Sequence, residues 1–252
     1  MLIHFFEGDR QYQADLDKPI QIGLTLREGQ GSSKCFYSPP FETFPVAEGT
    51  FIGDTKQGGS VNFKNIRLNP HGNGTHTECV GHISKEDHFL SNCLTRFHFI
   101  ARLISIYPQL ADNGDKIISR EQLELQVGDI DAEAIIVRTL PNDTSKINRQ
   151  YSGTNPAYFE SSAIDWMIEQ GIQHLLTDLP SLDREEDGGE LAAHKAFWNY
   201  PQQPATQRTI TEMIYVPTEI PDGEYLLNIQ VPSMDLDAAP SGVLLFAIKE
   251  IS

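Results

Sequence analysis

Residues 69–88 read NPHGNGTHTECVGHISKEDH and hold four of the chain's eight histidines, His71, His76, His82 and His88, with Glu78 and Cys79 set among Gly72, Gly74 and Gly81. Imidazole and carboxylate side chains together suit zinc, manganese or iron, whereas calcium and magnesium prefer shells of oxygen. On an ideal strand His76, Glu78, Val80 and His82 share one face, but at ~3.3 Å per residue His76 and His82 end up ~20 Å apart. One straight strand therefore cannot make one site. Glycine adopts positive φ cheaply, so these glycines let the run coil and aim several side chains at one point. A metal cluster drawing on His71, His76, Glu78 and His82 is the reading this pattern supports.

Competing readings set its boundaries. His4, His88, His98 and His174 each read as surface or hydrogen-bonded core histidines. The HTE triplet at 76–78 shares the spacing of the zinc deaminase signature, but that signature needs a PCxxC partner and the chain has no CxxC. Cys79 is expected to be a small buried packing residue, as free cysteines commonly are.

Positioning such a run takes a scaffold, and the hydrophobic period supplies one. PIQIGLTL (19–26) and VNFKNIRL (61–68) alternate like strands, and the second delivers the chain into the histidine run. FIARLISIY (99–107) and AEAIIVRTL (132–140) read as buried strands around a short helix in SREQLELQ (119–126), with Ser119 as its N-cap. PAYFESSAIDWMIEQG (156–171) predicts a helix stopped at Gly171, IQHLLTDLP (172–180) a buried strand, and LAAHKAFW (191–198) a helix. The acidic stretch SLDREEDGGE (181–190) reads as a solvated loop, and the last third is strand-rich. Strands alternating with helices indicate an α/β fold.

Composition narrows the class. Lys plus Arg number 19 against 35 Asp plus Glu, a formal charge of −16, so nucleic-acid backbones and anionic membranes would be repelled. Cys35, Cys79 and Cys93 lack paired motif spacing, which suits a reducing, cytoplasmic compartment. MLIHFFEGDR has no basic leader pattern, and no apolar stretch approaches the ~20 residues of a membrane span. A single domain over 1–252 is expected.

The glycine-histidine run resembles HxGTHxDxPxH, the signature of the cyclase family of metal-dependent hydrolases, which includes bacterial kynurenine formamidases and isatin hydrolases. Gly74, Thr75, His76 and His82 match in spacing, while Glu78 stands where the family has aspartate and Val80 where it has proline. At the family's first histidine this chain has Gly72, with His71 one residue early. Residues 159–183 are similar to the family's helix, strand and "D.PS.D" segment, followed by His194, and 209–248 look like its ending, with Glu212 on a strand. The similarity runs in order over roughly 18–248.

This resemblance implies a three-layer β/β/α swivelling-type domain with a mixed sheet, binding zinc or manganese, one or two ions per chain. It implies His76 and His71 on one metal, His82 and Glu212 on the other, Glu78 as the bridge, and His194 as general acid/base. The longer glutamate leaves a mononuclear site open. The function implied is hydrolysis of a C–N bond in a small amide, formamide or cyclic amide. An ester or lactone hydrolase, a dehydratase, or a catalytically decayed binding protein are the alternatives. Phe36, Tyr37, Phe41 and Phe44 in CFYSPPFETF (35–44) suit a pocket wall or a subunit interface, and a homo-oligomer is expected.

Overall fold

The computed structural model describes residues 1–128 and 130–251. One mixed sheet of eleven strands dominates it. In chain order these are β1 (Leu2–Glu7), β2 (Arg10–Asp15), β3 (Ile20–Gln21), β4 (His76–Glu78), β5 (His98–Ile106), β6 (Ala134–Thr139), β7 (His174–Thr177), β8 (Thr209–Glu212), β9 (Gly223–Gln230), β10 (Ala238–Pro240) and β11 (Gly242–Ile251). Their spatial order is β1-β2-β11-β9-β5-β6-β7-β8-β4-β10, with β3 also on β11. The central run β5-β6-β7-β8 is parallel, and everything on either side of it pairs antiparallel.

Parallel neighbours need crossovers, and four short helices are available among the described residues: α1 (Leu90–Cys93), α2 (Arg120–Val127), α3 (Ser161–Glu169) and α4 (Ala192–Trp198). The last three connect the parallel strands in turn. Leu123, Ile164, Met167, Phe197 and Trp198 from these helices pack on Ile135, Val137, Leu175 and Ile210 of the sheet. Alternate residues of the same strands, Ala134, Ile136 and Leu176, face the other way, into a core with Ile22, Leu90, Ile214 and Val216. Every residue of β6 is buried, which is why Ala134–Val137 reads as a continuous apolar run rather than an alternating one, with Arg138 and Thr139 buried beyond it.

Local chemistry sets the helix limits. Ser119 and Gln122 form a reciprocal capping box at the start of α2, and Gly171 takes a φ of 85° just beyond α3. Several expected elements are shorter than their sequence pattern, 61–68 reduced to Lys64–Arg67 and 172–180 to His174–Thr177 among them. Of 19–26 only Ile20–Gln21 forms a strand: Ile22 and Gly23 N–H both bond the Val243 carbonyl (3.0 and 3.1 Å), and the chain then turns away, with Leu24 N–H on Thr75 Oγ1 (2.8 Å) and the Ile22 carbonyl accepting from Tyr215 N–H (2.8 Å). The helix expected over 156–171 begins at Ser161, since Tyr158–Phe159 pairs in parallel with Ile117–Ile118. Residues 42–67 form an outlying arm, where Glu42–Pro45 pairs only with Lys64–Arg67 and leaves Val61, Phe63 and Ile66 exposed. No described helix is long and apolar enough to cross a membrane.

Candidate metal centre

Strand β4 is three residues long and places His76 and Glu78 on one face, with Thr77 on the other, bonded to Thr211 Oγ1 (2.8 Å). His76 lies directly opposite Glu212 in the antiparallel pairing with β8, so the two side chains meet across the ladder, with His76 Nε2 3.4 Å from Glu212 Oε2. Past Glu78 the chain does not continue as a strand. A single 3-10 turn, Val80–His82, carries His82 back over β4, and it is so tight that a Cβ on Gly81 would sit 2.1 Å from the His88 carbonyl oxygen. His82 Nε2 thereby comes within 4.0 Å of Glu78 Oε2. On the other side Gly74, at φ +66°, opens the run toward His71, whose Nδ1 lies 2.8 Å from Glu78 Oε2.

His194 arrives from the first turn of α4. Its Nε2 is 3.1 Å from Glu78 Oε1 and 3.7 Å from Glu212 Oε1, and its Nδ1 is 2.5 Å from Asp183 Oδ2. Glu212 Oε1 also accepts from Leu182 N–H (3.1 Å). The structure thus gathers His71, His76, Glu78, His82, His194 and Glu212 in one place. His4, His88, His98 and His174 lie outside this cluster, and His174 bonds Thr209 Oγ1 within the core (2.8 Å). Cys79 is fully buried, its Sγ facing the His88 carbonyl.

Two carboxylates here had no assigned part in the sequence reading. Asp183 lies in the acidic stretch expected to be a solvated loop; residues 184–190 are largely exposed, but Ser181, Leu182 and Asp183 are buried. Asp237, just ahead of β10, sits 2.7 Å from His71 Nε2 and 3.6 Å from His82 Nδ1. Its pairing partner is 166 residues away, so no local spacing announces it. The "D.PS.D" match did end on Asp183, which was the available signal for that residue.

The donor set fits a cation. His76 Nδ1 bonds the Gly74 carbonyl oxygen (3.1 Å), which makes Nδ1 the protonated nitrogen and leaves Nε2 with a lone pair. That Nε2 is buried, has no hydrogen-bond partner, and faces the carboxylates of Glu212 and Glu78 at 3.4 and 4.0 Å. A lone pair turned toward two carboxylates repels them, and a cation among the three removes the conflict. Three overlapping ligand groups meet the spacing a metal requires: His71, His76 and Glu78; His71, His82 and Asp237; and Glu78, His82 and His194.

The carboxylates that would hold a cation also favour positive charge on the imidazoles around them. Burial disfavours charge on Glu78, yet His82, His194 and His71 hold its carboxyl well below the usual range. Burial likewise opposes charge on His194, but its bonds to Asp183 and Glu78 push it up to about 10. Desolvation of His71 is outweighed in the same way by Asp237 and Glu78, again to about 10. His76 and His194 are 0% and 2% exposed, whereas the His71 and His82 side chains are 24% and 31% exposed, so the cluster meets solvent on the His71–His82 side. A cavity of about 840 Å³ lies elsewhere, between Tyr107, Leu110, Pro141, Arg149 and Tyr151, and no residue of the cluster lines it.

With this geometry in view, the comparisons with known proteins fall into place. The family model described as "Putative cyclase" matches residues 14–184, more than half of the chain, and the chain belongs to that family. Among solved structures it is similar to isatin hydrolase A from Ralstonia solanacearum (15% identity, 91% of each chain, TM-score 0.66). An isatin hydrolase bound to the product analogue thioisatinate matches at 14% identity over 92% of this chain and 94% of that one (TM-score 0.64). A protein described as a predicted metal-dependent hydrolase from Bacillus stearothermophilus matches at 16% identity over 91% and 98% (TM-score 0.57). These likenesses establish the shared mixed α/β fold. No curated protein matches.

Proposed function

We propose that the protein is a metal-dependent hydrolase that cleaves a C–N bond in a small amide, formamide or cyclic amide. The observation that carries this is the buried, unpartnered Nε2 of His76 facing two carboxylates. Zinc or manganese suits the mixed imidazole and carboxylate donors, held by His71, His76, Glu78, Glu212 and His194, with Glu78 central to the set. Such an ion supplies Lewis acidity, polarising a carbonyl oxygen and acidifying water. The departures at residues 72, 78 and 80 do not empty the site, which speaks against a decayed centre.

Two roles are proposed in the reverse of those the resemblance implies. His194 is buried, fixed by Asp183 through Nδ1, and turns Nε2 to Glu78 and Glu212, the arrangement of a ligating histidine backed by a carboxylate. His82 is the more exposed imidazole at the mouth, with Nδ1 near Asp237, and suits the general acid/base that takes a proton from water and delivers it to the leaving nitrogen. That nitrogen must be protonated as it departs, which is what gives an acid/base histidine its use on amides. Lactones and esters need the proton less and form the contrasting substrates.

Metal content per chain by mass spectrometry, followed by turnover on a panel of formamides, cyclic amides and lactones, tests the reading. His82→Ala retains its ion and loses ~10²–10⁴-fold in kcat. His194→Ala loses the ion. Protein that takes up neither zinc nor manganese would overturn the proposal.

The arm at 42–67 supports a homo-oligomer. Its two short two-stranded pairings, Glu42–Pro45 with Lys64–Arg67 and Ala47–Glu48 with Phe51–Ile52, are marginal in water, and Phe44, Val61, Phe63 and Ile66 are exposed on it. Light scattering on Ile66→Asp tests this, with a shift toward monomer expected.

A further inference from the structure

We infer that Asp237, which lies outside the glycine-histidine run, is the positioning residue that makes the displaced His71 a metal ligand. The inference rests on the metal-centre reading above.

The usual place for the first histidine is sterically closed in this chain. A Cβ on Gly72 would lie 2.4 Å from both Cβ and Oγ of Ser38, and Ser38 Oγ donates to the Gly72 carbonyl (2.9 Å). The turn around it is pinned as well. Asn69 Oδ1 accepts from His71 N–H and Gly72 N–H, each at 3.0 Å, and Asn73 Oδ1 accepts from Asn69 N–H (2.8 Å). The imidazole must therefore reach the centre from position 71, along a different line.

What aims it is visible in its contacts. Nδ1 faces Glu78 Oε2 at 2.8 Å while Nε2 faces Asp237 Oδ2 at 2.7 Å, so both ring nitrogens are held by carboxylates on opposite sides. The ring stacks on His82 (centroids 4.1 Å apart) and meets His76 edge-on (5.5 Å). Asp237 is in turn fixed to the strand that bears the ligands: its carbonyl accepts from Cys79 N–H (3.0 Å), and the next residue, Ala238, pairs with Glu78. With an ion in the centre, Asp237 would keep the proton on Nε2 and leave the Nδ1 lone pair free to face that ion. A carboxylate behind the far nitrogen is what orients ligating histidines generally, and Asp183 stands in the same relation to His194.

A double-mutant cycle on metal affinity tests this, using zinc alone, competed against a chromophoric chelator, with the melting temperature of the metal-free protein in parallel. Asp237→Ala is expected to weaken zinc binding ~10–100-fold, and Asp237→Asn, which retains an acceptor oxygen, by less. His71→Ala is expected to weaken it further, and His71→Ala/Asp237→Ala to match His71→Ala within about twofold, since Asp237 acts through His71. Unchanged zinc affinity in Asp237→Ala overturns the inference, as does a double variant weaker than His71→Ala by the full factor of the single one. If Asp237→Ala also lowers the melting temperature of the metal-free protein, the cycle is read with Asp237→Asn. Wild-type protein that binds no zinc overturns the metal-centre reading along with this one, which separates the two failures.

Discussion

Asp183 holds His194 by two bonds and its neighbour by a third: the carboxylate accepts from the His194 backbone N–H (3.1 Å) and from His194 Nδ1 (2.5 Å), and from the Ala193 N–H (2.7 Å). Helix α4 opens after Leu191, which has φ 47° and no side-chain cap, so Asp183, in the loop that leads into the helix, serves as its cap. One carboxylate therefore starts the helix and aims the histidine the helix carries. Asp183→Ala should lower stability by ~0.5–2 kcal/mol through the lost cap. It should also weaken metal binding ~10–100-fold through the loosened imidazole. Urea unfolding of the metal-free protein and a zinc titration read these separately, and a variant with normal zinc affinity would remove Asp183 from the centre.

That relationship marks where legibility in the sequence stops. β6, α2 with its Ser119 cap, and the stop at Gly171 follow from local pattern, because each is decided by residues within one turn or one strand. The coiling of 71–82 also follows from its glycines, which carry the ligand run through turns a bulkier residue could not enter. Asp183 and Asp237 do not, since an aspartate in an acidic chain has no local mark distinguishing a buried partner of histidine from a solvated charge. Period-two alternation at 19–26 misled for a related reason: Ile22 and Gly23 N–H share the Val243 carbonyl, and the Ile22 carbonyl and Leu24 N–H then turn to Tyr215 and Thr75, far along the chain.

His174 makes stability depend on pH away from the metal centre. Burial, with Arg96 nearby, holds it down to about 3, so the folded state keeps the ring neutral. Above its ordinary value of 6.5 neither state is protonated and the full stability is present. As pH falls from there toward 3 the unfolded chain takes up a proton that the folded chain refuses, and stability is lost at up to ~1.4 kcal/mol per pH unit. His174→Gln should be less stable at pH 7, having lost the ring's contact with Phe99, yet its stability should decline less steeply between pH 6 and 4.5. Urea midpoints at several pH values check the slope, and parallel curves for the two proteins would refute the assignment.

Lys146 and Asp178 form an ion pair buried behind the strand ends, with Nζ 2.7 Å from Oδ2 and also bonded to the Thr139 carbonyl. Burial pushes the Asp178 carboxyl up, against the pull of Lys146 and Thr139, so the pair survives on its hydrogen bonds rather than on solvation. Lys146→Met leaves a buried carboxylate uncompensated and should cost ~3–5 kcal/mol, while adding Asp178→Leu should recover most of that loss. Thermal unfolding of the two variants decides it; a double variant as unstable as the single one would mean that the pair's hydrogen bonds, not its charge balance, hold the site.

Ser38 and Gly72 offer a steric test of why the ligand histidine sits at 71. Adding a methyl group at position 72 drives it into Ser38 at 2.4 Å, a contact that must be relieved by moving either the 35–38 loop or the ligand turn. Overpacking of this kind costs ~1–3 kcal/mol. The loop is tied down by the Cys35 N–H bond to the Gly72 carbonyl (3.2 Å) and by Tyr37 N–H to Ser152 Oγ (2.8 Å), so the displacement falls partly on His71. Gly72→Ala should therefore lower both the melting temperature and zinc affinity. Adding Ser38→Gly removes both colliding atoms and should restore zinc affinity while leaving some stability lost, because the Ser38 Oγ bond to the Gly72 carbonyl goes with it. If Gly72→Ala binds zinc like the wild type, the turn can yield without moving His71, and the closed position at 72 would not be the reason for the shift.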